Sequence, residues 1–148
     1  MNKGELKLLQ TFMNTGKIVG EYYEEISLGY NIFPLIDLFK EFSSEDWYNF
    51  RLDVVCVLGN TNVLQKLSGQ DWIYYAQDVL SCNQKSVWLF EVEKKLNPTA
   101  IGQILIYDTL FKMDWPFVNV KGKGIICGRA NAKIEAACIA NDIEVFEV

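Results

Sequence analysis

Three acids set into apolar runs carry the first chemical signal of this sequence. Asp53 lies inside Phe50–Leu58 (FRLDVVCVL), and Glu91 and Glu93 close Val87–Glu93 (VWLFEVE). Both runs are rich in β-branched and aromatic residues, so both read as strands, the first ending at Gly59-Asn60. Alternation along a strand puts Glu91 and Glu93 on one face; Lys95 joins them if the strand continues, and Lys94 points away. An unpaired carboxylate in a sheet interior costs on the order of several kcal/mol, so these acids need partners. Either a lysine supplies the counter-charge, or acids from two neighbouring strands share a divalent cation. Oxygen ligands of this kind suit Mg²⁺ or Mn²⁺ and not Zn²⁺.

Composition narrows the chemistry further. The 148 residues include no histidine, which excludes Ser-His-Asp and Cys-His catalysis, His zinc sites and an imidazole base. Hydrolysis would have to run on carboxylates, lysine, tyrosine, cysteine or an oxygen-ligated metal. Nineteen acids against fourteen bases give a formal charge of −5, which argues against coating nucleic acid through bulk charge. The cysteines, Cys56, Cys82, Cys127 and Cys138, form no C-x-x-C pair, and Cys56 and Cys127 fall in apolar runs, as small core residues do. No signal peptide and no apolar stretch of ~20 residues is visible, so the expectation is a cytoplasmic protein without a membrane span.

The elements that must position these residues form one domain over 1–148, with no repeat or linker dividing it. Residues 4–13 have helical spacing (Leu6, Leu9, Phe12 or Met13), and Asn14-Thr15-Gly16 ends that helix. Ile18–Ile26 reads as a strand and Gly29–Asn31 as a turn. Phe33–Phe42 is amphipathic with helix and strand both open, and Ser43–Asp46 breaks it. Asp71–Leu80 is expected to be a helix with Trp72, Tyr75, Ala76 and Val79 along one side. Asn97-Pro98 caps a helix running to Lys112. Gly124–Gly128 is a short strand, Asn131–Ile139 a helix and Ile143–Val148 a last strand. Helices between the late strands make an α/β sandwich with a mixed central sheet. No G-x-G-x-x-G or Walker pattern follows the glycines of Gly124–Arg129 (GIICGR).

Asp53, then Glu91-Val92-Glu93 with Lys94 and Lys95, then Gln103 and Tyr107 on the next helix, resemble the PD-(D/E)XK nuclease superfamily. The nearest likeness is to its RecB-like and archaeal or viral branch, where a strand acid, an E-x-K strand and a Q-x-x-x-Y helix follow in order. Gln103 and Tyr107 fall four apart, on one helix face. The resemblance covers roughly residues 50–112. It implies a restriction-endonuclease-like three-layer sandwich, a central mixed β-sheet flanked by helices, and a metal-dependent DNA nuclease. Asp53, Glu91 and the main-chain carbonyl of Val92 would hold Mg²⁺ or Mn²⁺.

The sequence departs from the family pattern at Glu93, where the lysine is expected. Glu93 would then accept the water's proton or hold a second metal, or Lys95 would supply the ammonium. Gln103 and Tyr107 would contact the phosphate or orient Lys95. Glu5 and Glu24 or Glu25 are further acids that some relatives use, with a solvated helix face the plainer account of Glu5. Lys121 and Lys123, around Gly122, read as a soluble glycine turn or as contacts to a nucleic-acid backbone. Trp72, Tyr74 and Tyr75 read as core or as a platform for splayed bases. The family's habit of pairing two sites makes a homodimer an expectation too. The alternative function is a catalytically inactive nuclease-fold protein, a nucleic-acid-binding or assembly module.

Overall fold

The computed structural model describes residues 1–29 and 50–148. The expected turn at Gly29–Asn31 beyond Gly29, the amphipathic segment 33–42 and the break at 43–46 lie outside the described residues. The described elements are α1 (Lys3–Asn14), β1 (Gly20–Ser27), β2 (Arg51–Leu58), β3 (Val63–Gln65), α2 (Gly69–Tyr75), β4 (Ser86–Glu93), α3 (Pro98–Asp114), β5 (Asn119–Cys127), α4 (Ala132–Ala140) and β6 (Ile143–Glu147). The six strands form one mixed sheet in the order β3-β1-β2-β4-β5-β6. β2 pairs antiparallel with β1 on one side and β4 on the other, whereas β4, β5 and β6 run parallel, as do β1 and β3. Parallel neighbours need a crossover: α3 joins β4 to β5, α4 joins β5 to β6, and β2 lies in the chain between β1 and β3.

Two apolar clusters sandwich the sheet. On one face α1 lays Leu9, Phe12 and Met13 over Tyr22, Val54, Cys56, Phe90, Val92, Ile126 and Phe146. The Phe12 ring sits 5.5 Å from Phe90 and 4.8 Å from Phe146, and aromatic pairs of this kind add about 0.5–1.5 kcal/mol each beyond their buried area. On the other face α2, α3 and α4 cover Val55, Val57, Val87, Leu89, Ile125 and Ile143. Ala100, Ile104, Tyr107 and Phe111 form the buried stripe of α3 at helical spacing. This is a three-layer α/β arrangement, with helices on both faces of a mixed sheet.

Most elements start and stop where the sequence places them. Asn97 accepts a hydrogen bond from Ala100 N (2.9 Å) and Pro98 opens α3, which runs two residues past Lys112. Gly16 closes α1 at φ +67°. Asp71–Leu80 is helical but changes hand-hold midway: after Tyr75 it opens into a π-helical turn, Ala76–Leu80, with Ser81 N bonded to Ala76 O (3.0 Å). That turn brings Leu80 into the core beside Trp72 and Ala76.

One strand is longer than the sequence suggests. Lys121-Gly122-Lys123-Gly124 is not a glycine turn but the middle of β5. Its glycines serve packing: a Cβ on Gly122 would lie 2.5 Å from the Trp88 indole, and one on Gly124 would lie 2.8 Å from the Phe146 ring. Lys123 faces α3 and pairs with the buried Asp108 at 3.6 Å, beside Lys112 at 3.0 Å. The short strand β3 also has no clear signal in the sequence.

Candidate active site

The antiparallel register of β2 and β4 runs from Val57↔Val87 to Val54↔Phe90, and the next rung brings Asp53 opposite Glu91. Here carboxylates take over from the main-chain ladder. Asp53 N donates to Glu91 Oε1 (3.2 Å), and Val92 N donates to Asp53 Oδ2 (2.9 Å). Each acid therefore closes onto the other strand's backbone. Among the described residues, the second oxygen of each makes no hydrogen bond.

The backbone is altered at this rung. Between β1 and β2 the pairing passes from Glu24↔Val54 to Ile26↔Leu52, omitting Glu25 and Asp53, and Glu25 has φ +54°. A left-handed non-glycine residue inside a strand is strained. Inward alternation breaks at the same place in both strands: Tyr23 and Val55 face α2 and α3, yet so do Ile26 and Leu52. One residue per strand is thus taken out of the pleat, so Asp53's N–H turns to the Glu91 carboxylate. Glu25 turns outward, where its carboxylate binds the N-terminal ammonium (2.7 Å) and Lys66 (3.0 Å). Those two bonds hold its pKa down at about 2.

Electrostatics concentrate at the fork. Burial, then the charge of Asp53, pushes the Glu91 carboxyl up to about 9; only 3 % of Glu91 is exposed. Burial also raises Asp53, to about 6, opposed by its bond from Val92 N and reinforced by Glu5 and Glu93. Glu93 is raised by burial, partly offset by a hydrogen bond with Asn97, with the charge of Glu5 adding to the rise. Four carboxylates from α1, β2 and β4 thus feel one another, although no three are grouped closely enough, among the described residues, to form a ready cage for a metal.

The remaining expected residues divide. Tyr107 is nearly buried; its hydroxyl pKa is raised by burial and by the charges of Glu91 and Asp53, against hydrogen bonds with the Arg51 main chain and Gln103. The four-residue spacing thus brings Gln103 and Tyr107 together on the side of the acids. Lys95 does not reach them along the strand, because β4 ends at Glu93 and Lys94 and Lys95 lie in an exposed bend. The side chain of Lys94 runs across the first turn of α1, its Cε within 2.8 Å of where a Cβ on Gly4 would stand.

Glu5 is half-buried and does more than line a solvated helix face. It closes a capping box, accepting from Asn2 N (2.8 Å) and Asn2 Nδ2 (2.7 Å), and its charge reaches Asp53, Glu91 and Glu93. The spacing Asn2-x-x-Glu5 is the sequence signal for that cap. Arg51 is a site neighbour that no motif marked, and Asn97, marked only as a helix cap, is another. Trp72 is buried, Tyr75 half-buried and bonded to Glu21, and Tyr74 is 66 % exposed. Cys56, Cys127 and Cys138 are buried free thiols, and Cys82 is exposed.

The donor set fits a hard divalent cation. Val92's N–H points at β2, and a strand residue's carbonyl shares the edge of its N–H, so the Val92 carbonyl lies on the side of Asp53. Two carboxylates and one carbonyl, all oxygen, match the one or two carboxylates with retained water that Mg²⁺ prefers. The raised pKa values give the same result from the other direction: without a cation, the pair cannot keep both charges at neutral pH.

No known protein family, curated protein or solved structure matches this chain. Among the described residues, no helix is long and apolar enough to cross a membrane.

Proposed function

We propose that this protein is a metal-dependent DNA nuclease of the PD-(D/E)XK type, on a restriction-endonuclease-like fold, hydrolysing phosphodiester bonds with water. One observation carries this reading: Asp53 and Glu91 meet on adjacent antiparallel strands, each closed onto the other's backbone, with one oxygen apiece left over. The Gln103–Tyr107 pair arriving from α3 supports it, as does the order helix, strand, acid strand, E-x-E strand, helix, strand.

Asp53, Glu91 and the Val92 carbonyl would hold Mg²⁺ or Mn²⁺. When bound, that cation supplies neutralisation of phosphate charge and a more acidic water. Glu93, with its raised pKa, would accept a proton from the attacking water. The Tyr107 hydroxyl borders both acids beside Gln103 and would donate to a phosphate oxygen. Lys95 sits at the exposed rim and would act on substrate from there.

Glu93 at the lysine position and Lys95 off the strand favour a second reading, a nuclease-fold protein that binds nucleic acid or assembles without cutting it. One experiment separates them. Chelator-stripped protein is titrated with Mg²⁺ and Mn²⁺ while melting temperature and cleavage of single- and double-stranded DNA are followed, alongside Asp53→Asn and Glu91→Gln. Metal-dependent cleavage lost in both folded variants supports the nuclease. Cleavage that survives both substitutions, or survives chelator, refutes it. DNA binding without cleavage selects the second reading.

A further inference from the structure

A nuclease with a formal charge of −5 and four acids at its centre repels its substrate unless cations stand beside them. The carboxyl ends of the parallel strands β4 and β5 provide such a place. The bend after β4 and the loop after β5 are tied together by Leu96 N to Arg129 O (2.9 Å) and by Gly128 N to Glu93 O (3.2 Å). Between them lies a cavity of about 300 Å³ lined by Lys95, Leu96, Arg129, Ala130 and Asn131. No carboxylate lines it, and among the described residues neither Lys95 nor Arg129 has an ion-pair partner.

The backbone around this cavity is held in place before any ligand arrives. Asn97 Nδ2 donates to the Lys95 carbonyl (3.1 Å) while Asn97 Oδ1 caps α3. Asn131 Oδ1 caps α4 through Lys133 N (3.0 Å) and Ile134 N (3.3 Å). Lys95 and Arg129 are both exposed and both line this one cavity, so a planar guanidinium and an ammonium are available there to a tetrahedral anion with several acceptor oxygens. Ligands of open α/β sheets seat outside the carboxyl ends of parallel strands, which is where this cavity lies.

We infer that the Lys95–Arg129 cavity is a phosphate-binding site, and that in the nuclease it takes a backbone phosphate neighbouring the one at the Asp53–Glu91 fork. The second half of this inference rests on the nuclease reading. It gives Lys95 a use that its absence from the strand would otherwise deny it. Substrate would cross the Glu93 end of β4 with one phosphate on the acids' side and another on the cations' side.

The test uses chelator-treated full-length protein, so that binding is read without cleavage, and a short fluorescent DNA in single- and double-stranded forms. Arg129→Ala is expected to bind about tenfold more weakly, and its plot of log affinity against log salt to be shallower by about one. Arg129→Lys should restore most of the salt slope, and the melting temperature should not move. Equal binding by wild type and Arg129→Ala overturns the site and leaves the nuclease reading standing. If wild type binds no DNA, the nuclease reading fails, and inorganic phosphate followed by amide NMR decides the rest. Shifts confined to Lys95, Arg129 and Asn131 then support a site for a small phosphate compound, and no shifts overturn it.

Discussion

Replacing Glu91 by glutamine should make the metal-free protein more stable, and increasingly so as pH rises. The folded chain holds Glu91 nearly out of water beside Asp53, with its pKa pushed up to about 9, whereas an unfolded glutamate titrates near ~4.3. Between those values the native state keeps a proton that the unfolded chain has released. Stability therefore falls as pH rises, by up to about 1.4 kcal/mol per unit for one excess proton. From about pH 6 to about pH 8 that amounts to about 3 kcal/mol, a large part of the ~5–15 kcal/mol total of a typical domain. Glutamine has no proton to lose, and its amide oxygen can still accept from Asp53 N, so the penalty disappears while the bond remains. Urea unfolding of chelator-treated wild type and Glu91→Gln across this range gives the comparison. The variant's advantage should grow by about 3 kcal/mol over those two units. Parallel curves would refute the claim that Glu91 is held protonated in the fold. Adding Mg²⁺ should flatten the wild-type curve and leave the variant's unchanged, because only the paired carboxylates gain from a cation.

Other perturbations test separate parts of the structure. Gly122→Val forces a side chain into the Trp88 indole and should cost at least about 1–3 kcal/mol in denaturant unfolding, although the residue looks like part of an exposed turn in sequence. Gly102→Ala should do the opposite: no atom stands within 4 Å of its Cβ position on exposed helix, so stability should rise by about 0.5–1 kcal/mol, read as a higher melting temperature. Asn97→Ala removes the cap of α3 and should cost about 1 kcal/mol; the same change frees the Lys95 carbonyl just after Glu93, so activity should fall more than stability predicts. Tyr107→Phe removes the hydroxyl that borders Glu91 and Asp53, and should lower cleavage rate with little change in metal affinity, measured by calorimetry and single-turnover kinetics.

Local chemistry fixed much of this fold in advance. The caps at Asn97 and Asn131, the glycine stop at Gly16 and the β-branched runs around Cys56 and Leu89 each depend on near neighbours, so they were legible from spacing alone. The strand contexts of Asp53, Glu91 and Glu93, and the shared face of Gln103 and Tyr107, were legible for the same reason. What lay outside reach depended on elements distant in the chain. The lysine-glycine repeat at 121–124 is a strand because Trp88 and Phe146 need the space above its glycines.

The sequence by itself determined the residue types available for chemistry: no imidazole, several strand acids and an E-x-E where a lysine was expected. It also placed those acids on strands. Only the tertiary structure decided that Asp53 lies opposite Glu91, since register is a property of two strands that β3 and α2 separate in the chain. The strained Glu25 rung, the arrival of Glu5 from α1 and the end of β4 before Lys95 were settled there too. Each is a long-range contact, and the energy that fixes it comes from burial and charge shared between segments that no local pattern connects.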